Sequence, residues 1–161
     1  MTPLDVVTNA LIQQILTYDS LKTRNVIDFA DVKSNPAKGS VQTADLPEIA
    51  LFIASFSSNV ASNSSSINVS PVWRYMISTG TYNSKVSNEL MMAVLSTVAS
   101  WRETIQPLLW NEIQFVRNAR LISAQQGMSN ADQNRNITGW ASIVDVEIDL
   151  YFTKDTPLIT V

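Results

Sequence analysis

Between Val86 and Ile105 the apolar residues Val86, Leu90, Val94, Val98, Trp101 and Ile105 recur at three- and four-residue steps, with Met91 and Leu95 beside them. No other stretch of the chain carries so strong a local signal. Side chains at that spacing fall on one face of an α-helix, and that face must be buried. Each large side chain withdrawn from water contributes roughly 1.5–3 kcal/mol, so this helix is the expected anchor of the core. Asn83 or Ser84 stands where an N-cap belongs, and Pro107 marks the expected end.

A helix with one apolar face needs a layer to lie on, and the rest of the chain supplies strands. Ile49 to Phe56 is dense in Ile49, Leu51, Phe52, Ile53 and Phe56 and predicts a strand buried on both faces for part of its length. Ile67, Val69, Trp73, Tyr75 and Ile77 alternate with Asn68, Ser70, Arg74 and Ser78, the pattern of a half-buried strand. Pro71 falls in phase and implies an edge, a bulge or a strand end there. In Glu112 to Ile122, Ile113, Phe115, Ala119 and Leu121 share one parity, which Arg117 interrupts. From Trp140 a long closing strand turns Val144, Val146, Ile148, Leu150 and Phe152 one way and Asp145, Glu147 and Asp149 the other.

A second helix lies at the start. Thr2 is a candidate N-cap, Pro3 suits the first helical position, and Asp5 complements the helix dipole. Leu4, Val7, Leu11, Ile15 and Tyr18, widened by Ile12, carry its apolar stripe to an expected end near Leu21. The expectation is one α+β domain over residues 1–161 in α-β-β-α-β-β order. Its sheet is four-stranded, antiparallel or mixed, with both amphipathic helices packed on one face.

The connections are polar. Residues 24–47 read as an arm or crossover, with Val26, Ile27, Phe29 and Val32 suited to a short strand before the Asn35-Pro36 and Lys38-Gly39 turn signals. Residues 57–66, nearly all small and polar, are expected to form a mobile hairpin loop, and residues 125–136 a second polar loop. Residues 153–161 read as a tail whose Leu158, Ile159 and Val161 are apolar enough to dock on a neighbour.

Composition narrows the chemistry. The chain has no Cys and no His, so thiol nucleophiles, disulfides, imidazole bases and the usual zinc sites are excluded together. A net charge of -3 leaves no basic footprint for gripping phosphates or anionic membranes. Met1-Thr2-Pro3-Leu4-Asp5 lacks a basic leader, and no apolar run reaches membrane-spanning length, so the expectation is a soluble protein. The four glycines form no phosphate loop, and the serines lack a nucleophile-elbow context.

Asp145, Glu147 and Asp149 form the one cluster that invites a metal or acid–base reading, since carboxylates bind Mg²⁺ or Ca²⁺. Same-face residues two apart in a strand sit roughly 7 Å from each other, which is wide for one ion held by all three. A solvated sheet face is the simpler reading, and an acidic wall lining a channel in an oligomer is a third. Arg117 and Arg120 are candidate contacts to a partner carboxylate or phosphate, and the loops around Asn63, Ser64, Asn130 and Arg135 are candidate oligomer contacts. No catalytic, cofactor or metal residue is assigned.

The order of elements, the two long polar loops and the closing strand Trp140 to Phe152 together resemble the tail-terminator or tail-completion proteins of long-tailed phages. The likeness spans roughly Pro3 to Phe152 and is one of size, layout and composition, without a signature motif. It implies a non-enzymatic virion subunit, assembled in the host cytoplasm and resident in the tail or neck. Such a subunit forms a homo-hexameric ring, caps the tail tube, and joins it to neck or connector proteins. No cofactor, membrane or sequence-specific nucleic acid is implied. A different neck, connector or baseplate protein, and a carboxylate metal enzyme, are the alternatives.

Overall fold

The computed structural model describes residues 1–17, 25–28, 48–56, 61–62, 65–79, 84–132 and 137–159. Helix α1 spans Pro3–Leu16 and opens with a capping box. The Asp5 amide donates to Thr2 Oγ1, and Asp5 Oδ2 accepts from the Thr2 amide at 2.6 Å, so the two residues cap the helix start reciprocally. Its buried face carries Val7, Leu11 and Ile15 as the spacing predicts, and also Thr8. The helix stops at Leu16, with Thr17 as C-cap, and the last expected turn lies outside the described residues.

Among the described residues the sheet is mostly antiparallel and has seven strands: β1 (Asn25–Asp28), β2 (Glu48–Phe56), β3 (Ala61–Ser62), β4 (Ser66–Val69), β5 (Pro71–Thr79), β8 (Val116–Asp132) and β9 (Ile137–Thr153). The order is β1-β2-β5-β9-β4-β3, with β8 on the opposite flank of β9. β1 is parallel to β2 and the other pairings are antiparallel.

The sheet departs from the expected four strands for identifiable reasons. β4 and β5 keep one register against β9, Val69 opposite Leu150 and Val72 opposite Glu147, and are divided at Pro71, whose ring nitrogen has no hydrogen to give the ladder. β1 is a short edge strand from the segment read as an arm. Phe29 and Val32 lie outside the described residues. Part of the first polar loop, Ala61–Ser62, pairs with β4.

The second polar loop is also shorter than its composition predicts. β8 continues to Asp132 and β9 begins at Ile137, with Ser129 opposite Trp140 and Asp132 opposite Ile137. Backbone pairing in a hairpin satisfies N–H and C=O groups whatever the side chains, so a polar sequence can extend it. A separate hairpin of β6 (Leu109–Trp110) and β7 (Ile113–Gln114) takes the start of the segment read as the third strand.

Helix α2 spans Ser84–Ala99 and is followed by the single turn α3, Trp101–Thr104. The helix is thus interrupted at Ser100, where one continuous helix was expected. The Ser100 hydroxyl donates to Ser96 O at 2.8 Å beside its own amide at 3.0 Å, and its backbone, at φ -98° and ψ 19°, leaves the helical region.

Both helices share one core. Val7, Leu11 and Ile15 of α1, Ala93 and Val94 of α2, and the inward residues Ile49, Leu51, Trp73, Tyr75, Ile77, Val144, Val146, Ile148 and Leu150 of the sheet form one buried cluster. The Trp73 indole N–H donates to Thr8 Oγ1 at 2.9 Å, which explains the threonine on the buried face of α1. β2 is buried chiefly through Ile49 and Leu51, while Phe52 and Ile53 are half-buried and Phe56 is exposed. The alternate parity of β5 and β9 therefore faces away from the helices.

Candidate functional site

That second face holds the acidic line. In the antiparallel ladder Asp145 lies opposite Arg74 of β5, and Glu147 lies opposite Arg120 of β8. Asp149 lies opposite Asn118, one step diagonally from Arg120. Direct and diagonal positions are the ones from which side chains on one sheet face touch.

The contacts follow the register. Arg74 grips Asp145 with two bonds, Nε to Oδ1 at 2.8 Å and Nη2 to Oδ2 at 3.0 Å. The hydrogen bond to Asp145 raises the Arg74 pKa further above its ordinary value, so the guanidinium stays charged. Arg120 donates to Asp149 through Nη1 at 2.7 Å and Nη2 at 3.2 Å, and also pairs with Glu147. The Ser70 hydroxyl donates to Asp149 Oδ1 at 2.6 Å, from the strand break before Pro71.

Glu147 is 8% exposed, although the described helices pack on the other face of the sheet. A carboxylate so far out of water is retained only where a nearby cation compensates it, and Arg120 supplies the cation. The line is thus no bare negative wall, since Arg74 and Arg120 offset much of its charge. Among the described residues no group of three or more acidic side chains is arranged to hold a metal ion. The oxygens a cation would need already accept from guanidinium and hydroxyl groups.

The remaining candidates separate. Arg117 is exposed, and its guanidinium lies 4.6 Å from the centre of the Tyr151 ring, a cation–π contact. Asn130 stands in β8 with its backbone opposite Gly139. Asn63, Ser64 and Arg135 lie outside the described residues. Arg120 therefore joins the acidic line, and Arg117 stands beside it on Tyr151.

Two features were not singled out from sequence. β8 is an edge strand that pairs only with β9 among the described strands, and its register shifts three times, between Val116 and Asn118, Leu121 and Ser123, and Gln125 and Met128. At the middle irregularity the neighbours Leu121 and Ile122 are both exposed, at 43% and 51%. Strict alternation would have buried one of them. The second feature is an apolar cavity of about 220 Å³ between the first turn of α1, the end of β2 and the C-terminal segment. Leu4, Phe56, Val69, Leu150, Phe152 and Leu158 contribute to its lining.

No protein-family model matches the chain, and no curated protein matches it.

Proposed function

We propose that this chain is a structural virion subunit that assembles with copies of itself into a ring, a homo-hexamer by resemblance, which caps the phage tail tube and joins it to neck or connector proteins. The observation that carries this reading is the long edge strand β8 with Leu121 and Ile122 exposed side by side. An edge presents unpaired backbone groups, and adjacent large apolar side chains on it favour a partner. The irregularities of β8 disfavour a long uninterrupted ladder with another chain, so side-chain packing around Leu121 and Ile122 is the contact we assign. Two different surfaces meeting head to tail close into a ring when the rotation permits.

In this reading α1, β2, β5, α2, β8 and β9 are the α-β-β-α-β-β core, and β1, β3, β4 and the β6–β7 hairpin are additions to it. The paired carboxylates are a structural seam of the open face. Their engagement by Arg74, Arg120 and Ser70 supports a non-enzymatic role over acid–base or metal chemistry.

Electron microscopy of the purified protein with tail tubes tests the assignment. Rings seated on tube ends are expected. Binding only to portal or capsid vertices would make it a connector, and a monomer at high concentration that leaves tubes uncapped would sink the proposal.

A further inference from the structure

The apolar cavity is closed on one side by the chain's own C-terminal segment. β9 ends at Thr153, and a turn reverses the chain, the Thr156 amide donating to Thr153 O at 3.0 Å. The Lys154 amide donates to Ser65 O at 3.0 Å. Pro157 O then accepts from the Trp110 indole N–H at 2.7 Å and from Asn111 Nδ2 at 3.2 Å. Leu158 reaches the cavity, while Ile159 is 71% exposed.

This strap is weakly held for something that covers an apolar seat. Leu158 remains 37% exposed and leaves the cavity unfilled, so much of the hydrophobic gain is not realised within one chain. Among the described residues the hydrogen-bonded attachment beyond the turn runs through one acceptor, Pro157 O. Simple release carries its own cost, because Trp110 is 6% exposed and its N–H would be left buried without a partner. Another Pro157-Leu158 pair restores both the hydrogen bond and the apolar contact.

Resting on the assembly reading above, we infer that the C-terminal strap is exchanged between neighbouring copies, the Pro157–Ile159 segment of one subunit occupying the cavity and the Trp110 site of the next. A segment docked within one chain through a short turn makes the same contacts on a second copy, which is why such exchange is a low-cost route to association. Ile159, exposed at the end of the strap, travels with it, so its position reports which copy the segment occupies.

The test uses full-length protein carrying a photo-crosslinking side chain, Ile159→p-benzoylphenylalanine, prepared in ¹⁴N and ¹⁵N forms and mixed as monomers before assembly. After irradiation of the oligomeric fraction, mass spectrometry reads the isotope pairing of crosslinks from position 159 to peptides containing Thr2–Leu4 or Phe56. Mixed-isotope crosslinks at the statistical share are expected. Same-isotope crosslinks alone, in an oligomer that forms normally, overturn the exchange and leave the assembly reading standing. Absence of any oligomer overturns both. As a second measurement, Leu158→Asp is expected to lose the oligomer while the monomer keeps its melting temperature. An unchanged oligomer in that variant overturns the exchange.

Discussion

At the scale of single residues, the least expected group is a hydroxyl. Tyr75 is fully buried on the inward face of β5, and its oxygen has no hydrogen-bond partner among the described residues. Burial pushes its pKa far above the ordinary tyrosine value, so it remains a neutral phenol. Leaving such a group unsatisfied costs about 1–3 kcal/mol, whereas removing the oxygen leaves the ring's packing in place. Tyr75→Phe is therefore expected to raise unfolding free energy by about 1 kcal/mol in urea titration, and a loss of stability would show a partner for the hydroxyl. Alternation in the sequence placed Tyr75 inside, but no local pattern indicates whether a buried hydroxyl finds an acceptor. Arg120 poses the opposite case. Its loss in Arg120→Ala strands Glu147 away from water, and the expected cost is roughly 1–2 kcal/mol, less than for a fully buried pair because the arginine is partly in solvent. Coupling is the informative readout: Glu147→Gln in the same chain should recover most of that loss, and independent, additive effects would mean that the pair is not coupled.

At the scale of elements, legibility depended on whether the deciding interaction was local. The α1 start was readable because Thr2, Pro3 and Asp5 act within one turn. Thr2→Ala is expected to cost about 1 kcal/mol, measured as a lowered denaturation midpoint. The alternation in β5 and β9 was readable because one face is core and the other is not. What escaped was set by geometry across the sheet. Arg74 looked like an ordinary polar residue until the ladder placed it opposite Asp145, and the adjacent exposure of Leu121 and Ile122 arises from an irregularity that strict alternation cannot express. The β6–β7 turn gives another instance. Asn111 and Glu112 both have positive φ, 49° and 66°, as a two-residue hairpin turn of the mirror-image type requires. Asparagine tolerates that region, but glutamate pays for its Cβ there. Glu112→Gly is expected to stabilise the chain by about 0.5–1 kcal/mol, checked by thermal unfolding, and destabilisation would mean that the Glu112 side chain contributes more than its backbone strain costs.

For the whole molecule, what matters is which surfaces are finished. The helix-covered face of the sheet packs into one core, and the opposite face carries the ion pairs of Arg74 and Arg120. Among the described residues large apolar side chains are exposed at the β8 edge (Leu121 and Ile122), at the corner of Phe56, Leu158 and Ile159, on the β6–β7 hairpin (Leu109 and Ile113) and singly at Met1 and Met92. If copies associate through the β8 edge, folding and association are linked, and the melting temperature depends on protein concentration. A species that binds the folded state but not the unfolded one stabilises it by about 2.7 kcal/mol at a hundred times its dissociation constant. The native chain should therefore melt at higher temperature as concentration rises through the assembly range. In Leu121→Glu with Ile122→Glu, that dependence should vanish. At the lowest concentrations the variant should match the native chain within about 0.5 kcal/mol, because substitutions at exposed positions rarely cost more. A native chain whose melting point is flat across that range, with the variant indistinguishable from it, would remove the β8 edge as the assembly surface.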